Sequence, residues 1–442
     1  MHKRVLKAWV FLLLLGLFGL GVLFTDVGEE TLQGYKSLKE TLLKPQVKDG
    51  VSSQNKQRVE KELFTLDTTP PLHARLSADS SKVMLSRKGG KEALKEAMQD
   101  VELLSQESLD ETSQTIRAVL ASEASYDVHN DILTAKEVAL FRFKLPGNEL
   151  PTAFPKTPPL MRGKAKSAEL VIRDKAIDLT AHKVQLHELE NQASLSANTL
   201  VFDGAYAFLT GDVALEHPMG KATSEKGELI YDKSGKGKGI KEAILSDDVY
   251  IYRPDGSFLS SEEVRFLGEE EKFISPGPSS LTRIDPLKES SHTLYAPGGL
   301  VLEHAKETVT FFRTPEQQIH FMDAYGEIFA DHFEVKYKDK VVESMKMEGK
   351  VFLAYSRPQE EDRSYAYADT VTYDPTTQEM VMIGDRVLVY DRVNKMEVSA
   401  PKLRIRRDQA TQKERIKGEG DVRFTLDEKE FDILKNKFKF DS

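Results

Sequence analysis

The residue types that most often carry out catalysis occur in this sequence, but not at the spacing that a known reaction requires. Its ten His are scattered. His182 and His187 lie five residues apart, on opposite faces of a strand, so they could not bind one metal ion together. The sequence has no Gly-x-x-x-x-Gly-Lys-Ser/Thr phosphate loop, no His-Glu-x-x-His zinc motif and no Gly-x-Ser-x-Gly elbow. We therefore expect no enzyme activity, no cofactor and no metal site.

One catalytic alternative stays open. A pair of carboxylates on a β-solenoid can hydrolyse a polysaccharide, with one acting as the acid and the other as the nucleophile or base. The chain has 71 Asp and Glu residues, and no pair stands out among them.

Composition limits the classes of partner. The chain has 442 residues and a formal net charge of −9, so bulk nucleic-acid binding is not expected. It contains no Cys, which excludes disulfides, thiolate metal sites and lipid attachment through a thiol. The length would allow two or three ordinary domains, or one long repeat array.

A repeat of about 36 residues is the strongest signal of architecture. Val351, Val387 and Val422 each follow a Gly-containing segment that we interpret as a turn, and they are spaced by about 36 residues. Val213 and Val249 have the same spacing upstream. Self-similarity at a fixed period is typical of stacked architectures, because a single repeat cannot bury its own apolar face.

The residues between these segments have the patterns of antiparallel strands. Ser344–Glu348 alternates polar and apolar side chains, as a half-buried strand does. Val249–Tyr252, Val351–Tyr355 and Val387–Tyr390 are instead apolar on both faces. Such strands are covered on both sides, by a second layer or by a ligand in a groove. Lys91–Leu120 could be strands or a helix; we predict strands with a short helix near Glu92–Met98.

The N-terminus predicts a membrane anchor. Basic residues precede an apolar run, Ala8–Phe24, which as a helix would reach about 26 Å, the short end for a membrane span. We predict an uncleaved membrane helix with its basic end in the cytoplasm and the rest of the chain outside; a cleaved signal peptide is the alternative. Gly16 and Gly19 would let another helix pack closely, although Gly is also simply common in membrane helices.

These patterns divide the chain into four parts. We predict a transmembrane anchor at 1–25, a juxtamembrane helix or linker at 26–70 with helices over Glu30–Leu43 and Gln57–Phe64, an N-terminal β-repeat region at 71–150 and a main β-repeat domain at 160–430. The Pro-rich segment 145–159 separates the last two parts, and Ser275–Ser291 is predicted to be a long loop or joint.

Within the main domain the sequence resembles a known family. Ala366–Pro375 followed by Met382–Val387 is similar to the OstA-type repeat of the lipopolysaccharide-transport proteins LptA and LptC and of the N-terminal domain of their outer-membrane partner. The pattern recurs around Ala222–Tyr231 and Ala197–Asp203. The single N-terminal membrane helix resembles LptC in particular, although this chain has about twice the usual LptC length.

The resemblance implies a fold and a function. The fold would be an elongated, twisted antiparallel β-jellyroll, shaped as a half-open shell with an apolar interior. The function would be to shield the acyl chains of lipopolysaccharide and to pass it towards the outer membrane. The implied partners are lipopolysaccharide or its lipid A part, subunits of an inner-membrane ABC transporter, and other OstA-like bridge proteins that dock through strand edges. The alternative is an envelope scaffold or adhesion protein with a dry core and no lipid groove.

The residues that would contact the lipid follow from the repeat. A 12-carbon chain buried in an apolar groove gains roughly 10 kcal/mol before other terms, at about 0.8 kcal/mol per methylene. Eight side chains at repeating positions could line such a groove or merely pack a core: Val249, Ile251, Val351, Leu353, Val387, Val389, Val422 and Phe424.

A basic run lies near the C-terminal end of the array. Lys402, Arg404, Arg406 and Arg407 are followed by Lys413, Arg415 and Lys417. They could bind lipid phosphates or an acidic partner. They could also be the solvated face of a strand whose charges protect a sheet edge.

Overall fold

The computed structural model describes residues 52–65, 72–88, 91–109, 113–127, 130, 132–147, 149–172, 177–189, 192–202, 206–218, 220–231, 240–268, 270–285, 290–324, 326–338, 341–356, 364–392, 395–407 and 414–426. The anchor predicted at 1–25, with Gly16 and Gly19, and the helix predicted over Glu30–Leu43 lie outside these residues. Within them, no helix is long and apolar enough to cross a membrane.

Almost all of the described residues are in antiparallel strands, and the chain divides into two units at Asp247/Asp248. The first unit contains a meander in which each strand pairs with the next along the chain. Its strands are β1 (Ser52–Thr65), β2 (Leu72–Lys88), β3 (Lys91–Leu109), β4 (Ser113–Asp127), β5 (Ile132–Pro146), β6 (Met161–Ile172), β7 (Ile177–Glu188), β8 (Ala193–Phe202), β9 (Tyr206–His217) and β10 (Gly220–Tyr231).

The unit boundary falls inside β11 (Ile240–Tyr252), and the second unit continues to the last described strand. Among the described residues of this unit, one 3₁₀ turn, His304–Lys306, interrupts the strands. These are β12 (Phe258–Leu267), β13 (Lys272–Ser275), β14 (Ser279–Asp285), β15 (Ser290–Ala296), β16 (Leu300–Glu303), β17 (Thr308–Phe312), β18 (Ile319–Met322), β19 (Gly326–Ala330), β20 (His332–Lys338), β21 (Val341–Tyr355), β22 (Ser364–Asp374), β23 (Glu379–Asp391), β24 (Met396–Arg407), β25 (Glu414–Glu419) and β26 (Arg423–Leu426).

Between β12 and β21 the short strands form two separate ladders. One ladder joins the second half of β12 through β13, β16, β17 and β20 to the first half of β21. The other joins the first half of β12 through β14, β15, β18 and β19 to the second half of β21. From β21 to β24 each long strand runs through both ladders, and β24 then pairs with β25 along one half and β26 along the other.

The long strands bend at their middle, and the burial pattern records the bend. In β8, Ala197 and Leu200 are both buried although they are three residues apart, with exposed Asn198 between them. Residues at that spacing point to opposite faces of a straight strand. In the first unit, Met98 and Val101 of β3 pack into one apolar cluster in spite of the same spacing. The bend therefore lets the two halves of a strand face a common interior.

Mid-strand bends are made by most of the residues that the sequence analysis interprets as turns between strands, so for these the interpretation is wrong. Gly420–Asp421, in contrast, does lie between two strands, β25 and β26. Gly349 and Lys350 lie inside β21 with φ of 77° and 48°, and the pairing with β22 shifts between Glu348 and Val351. Gly211 and Asp212 occupy the same place in β9. An extra residue with positive φ is the signature of a β-bulge, which bends a strand without ending it. The sequence period is real, but it marks mid-strand bends.

Three further predictions are corrected. Gln57–Phe64 is part of β1, and Glu92–Met98 is part of β3, so neither is a helix. Ser275–Ser291 is not a long loop, because it holds β14 together with the ends of β13 and β15. The described residues of the Pro-rich segment after β5 are not in strands, but β5 and β6 pair directly across it, so it does not interrupt the meander.

We predict that Gly349→Ala lowers the free energy of unfolding by about 1–3 kcal/mol, because a residue with a side chain is strained at positive φ. An added Cβ would also approach the Asp331 side chain to 2.7 Å. Urea denaturation measures the effect. The control is Gly277→Ala, where a Cβ meets nothing within 4 Å and a change within about 0.5 kcal/mol is expected. Equal effects of the two substitutions would show that the bend does not require Gly.

Asp374 stabilises the turn between β22 and β23. Its pKa is below the ordinary value because Thr377 hydrogen-bonds to the carboxylate, with a further contribution from Thr376. The backbone N–H groups of Thr376 and Thr377 donate to its Oδ1 at 2.8 and 3.2 Å. Because the folded pKa is lowered, this stabilisation is fully present above the unfolded pKa of about 3.9 and is lost as pH falls through the folded value.

Asp374→Ala should therefore lower the melting temperature at pH 7, and the difference from wild type should shrink as pH falls below about 4. Melting curves at pH 3 to 7 measure it. A difference that is the same at every pH would contradict the role of the ionised carboxylate.

Candidate functional site

An uninterrupted apolar row crosses ten strands of the second unit. Each residue lies directly opposite the next one in the antiparallel register, so their side chains share one face of the sheet. We call this the interior row: Leu259, Leu281, Leu294, Phe321, Ile328, Leu353, Ala366, Val389, Val398 and Phe424.

Burial along the interior row is uneven. Most of its side chains are buried, and Val389 is completely so. Leu281 is 38% exposed and Phe424, at the end of the row, is 62% exposed. Phe321 and Ile328 are intermediate. The interior row thus combines buried side chains with side chains that solvent reaches, and the latter lie both within the row and at its end.

Small residues alternate with larger ones where the interior is most tightly closed. Ala366 lies between Leu353 and Val389 in the interior row. One step along the strands, Val351 faces Ala368, and Val387 faces Ala400; all four are buried. Alternating large and small side chains lets facing layers interdigitate. The Ala residues at the start of the repeat strand, Ala366 and Ala368, are therefore needed for the packing of the interior.

The structure brings together five of the eight residues predicted to contact lipid. Leu353, Val389 and Phe424 belong to the interior row, and Val351 and Val387 are buried one step away.

The other three are not among the ten members of the row. Val422 is half-buried between β25 and β26. Val249 is buried and Ile251 half-buried on β11, whose end is joined to β12 by the hydrogen bond from the Arg253 N–H to the Ser257 carbonyl.

Sequence analysis missed the members of the interior row that lie on the short strands. Leu294, Phe321 and Ile328 are on strands of four to seven residues, which are too short to carry a full repeat. Leu259 and Leu281 are also outside the repeat that was recognised. Only the strand register relates these residues to Leu353.

The outward face of the same strands carries an aromatic ladder. His320, Phe329, Phe352 and Tyr367 lie opposite one another in sequence, with ring centroids 4.2, 6.1 and 4.8 Å apart. Cross-strand aromatic pairs stabilise a sheet. Tyr367 is half exposed.

Charges are kept out of the interior row. Its ten members are all apolar, whereas the ion pairs of the second unit join side chains that are each at least about a fifth exposed. Among the residues that the structure describes, no group of three His, Asp or Glu is placed to hold a metal ion. The chemistry that the interior row can perform is contact with apolar groups.

The segment that contains the tightly packed part of the interior row matches a known protein family. Residues 325–412, which contain β19–β24, match the model of one protein family. That segment is similar to the LptA/(LptD N-terminal domain) LPS transport proteins. The LptA/LptD-like segment is about a fifth of the chain and includes Val351, Leu353, Val387 and Val389.

Solved structures are also similar, among them LptH from Pseudomonas aeruginosa, described as the LptA-homologous periplasmic component of the lipopolysaccharide transport device. LptH is 12% identical, with 31% of this chain and 94% of that chain covered and a TM-score of 0.26, which is too low to establish a common geometry. Curated proteins give no match.

We predict that Leu353→Ala lowers the free energy of unfolding by about 2–5 kcal/mol, since it removes a buried side chain from the interior row. The control is Tyr367→Ala, on the adjacent strand but on the outward face and half exposed. Its expected loss is about 0.5–1.5 kcal/mol, from the aromatic contact with Phe352. Urea denaturation compares them. A smaller loss for Leu353→Ala than for Tyr367→Ala would contradict the assignment of the inner face.

Proposed function

We propose that this protein is a lipopolysaccharide-transport component that shields lipid acyl chains in the apolar interior of its second unit. The observation that carries the proposal is the interior row, ten apolar side chains in cross-strand register. Part of that row falls in the segment similar to LptA and the LptD N-terminal domain.

The lipid enters where the row is exposed. Phe424 offers a largely exposed ring at one end, and Leu281 is the most exposed of the other row members. An acyl chain that covers these side chains removes their apolar surface and its own from water, at about 25 cal/mol per Å². Because the side chains along the row are similarly apolar, a lipid has a similar binding free energy at successive positions. It can therefore be released to the next position as well as bind.

The strand edge provides the contact with neighbouring transport proteins. Among the described residues, β25 and β26 pair only with β24, so their outer backbone groups are available for strand addition. On this proposal the partners are other OstA-like proteins and the subunits of an inner-membrane ABC transporter.

The same proposal includes an N-terminal membrane anchor and a role in binding rather than in catalysis. Ala8–Phe24 after basic residues would hold the chain in the inner membrane in the manner of LptC, with the repeat strands in the periplasm. The protein then acts by binding and release and has no chemistry of its own.

We predict that Phe424→Glu weakens lipopolysaccharide binding roughly 10- to 150-fold, because the contribution of one buried Phe is about 1.5–3 kcal/mol. Binding of the purified protein to labelled lipopolysaccharide in mild detergent measures it. Thr425→Glu is the control, since it introduces the same charge at the next residue, which is also exposed but points to the other face.

Equal binding by the two variants would contradict entry at Phe424. Absence of bound lipid from the wild-type protein, together with retained protein partners, would favour the alternative of an envelope scaffold.

A further inference from the structure

We infer that the outer face of β24 and β25 contains a binding site for phosphate groups, formed by Arg406, Arg415 and Lys417. The site is separate from the interior row, and its existence does not depend on the lipid-transport proposal. Its ligand class is a phosphate-bearing anion, either a lipid headgroup or a soluble phosphate.

Strand register places the cations together. Arg406 lies directly opposite Arg415, and Arg404 lies directly opposite Lys417. Residues in direct opposition have Cβ atoms about 4.5–5.5 Å apart and share a face. Leu403, next to Arg404 and therefore on the opposite face, is fully buried, whereas Arg406, Arg415 and Lys417 are exposed. The cations therefore form one cluster on the solvent side.

Neighbouring carboxylates neutralise only part of the cluster. Glu419 accepts hydrogen bonds from Lys402 at 2.9 Å and from Arg404 at 3.1 Å. Glu379 accepts from Arg404 at 3.0 Å, although it lies opposite Arg406 in the register.

Hydrogen bonding from Lys402, followed by the charges of Lys402 and Arg404, holds the pKa of Glu419 below its ordinary value. Glu419 is thus ionised at neutral pH and committed to those two cations. Within the described part of the chain, Arg406, Arg415 and Lys417 form no ion pair.

Like charges in direct opposition on neighbouring strands destabilise a sheet. The chain as a whole has a net charge of −9, so an excess of Arg and Lys at this place does not follow from composition. A bound anion would remove the repulsion. A phosphate has enough oxygens to accept hydrogen bonds from two Arg guanidinium groups and a Lys, whereas the two oxygens of a carboxylate can pair with only one guanidinium group in bidentate geometry.

Protection of a sheet edge explains the cluster less well. Edge strands are commonly guarded by charged side chains, and β25 has its only described partner in β24. Arg406, however, lies on β24, which is paired on both sides. A charge on an inner strand does not block the approach of another chain to the edge.

The test compares the full chain in mild detergent with R406Q/R415Q/K417Q and with a control of equal charge change, K136Q/K221Q/K226Q. The control lysines are exposed, and each already pairs with a carboxylate. Calorimetry measures the binding of inorganic pyrophosphate, short-chain phosphatidic acid and short-chain phosphatidylcholine. Melting curves are recorded with and without pyrophosphate.

The cluster variant should bind pyrophosphate at least tenfold more weakly than wild type, and the control within twofold. Its melting temperature without phosphate should be equal or higher, because the repulsion is gone, and pyrophosphate should no longer raise it. Binding of phosphatidic acid but not pyrophosphate would identify a headgroup as the source of the phosphate, and the reverse would identify a soluble anion.

Three results would overturn the proposal. They are an unchanged affinity in the cluster variant, no binding of either phosphate probe by wild type, and binding of poly-glutamate as tight as that of pyrophosphate. Loss of lipopolysaccharide from the interior leaves these measurements unaffected, so the two proposals fail separately.

Discussion

The structure depends on one constraint, that each long strand must bend at its middle. A straight strand presents alternate residues to one face, so Ala197 and Leu200 could not both be buried in a common interior. The bend inserts exposed polar residues and reverses the alternation. A single apolar interior can then be enclosed by both halves of the same strands.

The bend also explains why the repeat is so visible and why it is easily misread. Gly349 and Lys350 need positive φ at a mid-strand bulge for the same reason that turn residues do. Local sequence cannot distinguish a bend from a turn, because both require the same backbone conformation. Only the pairing of Glu348 and Val351 with a single neighbouring strand decides between them.

Prediction from sequence succeeded where a long strand contains the apolar residues of the repeat on both sides of its bend. The strands around Val351 and Val387 follow from their period and apolar content, whereas the sequence leaves open whether the two residues pack a core or face a lipid; the structure buries both. Prediction failed over β13–β19, where each strand is four to seven residues long and the chain changes ladder after every one or two strands. No local signal relates Leu294 to Phe321; their proximity is a property of the register.

The two-ladder segment has a mechanical consequence. From β21 to β24, continuous strands tie the two ladders together, so neither can shift without breaking backbone hydrogen bonds. Between β13 and β20 only short connections, such as the one around Gly277, join the ladders. Compliance of the second unit is therefore concentrated in that segment. The same segment contains Leu281, Phe321 and Ile328, the row members other than Phe424 that solvent reaches. The most compliant part of the second unit therefore coincides with the part of the interior row that is exposed to solvent.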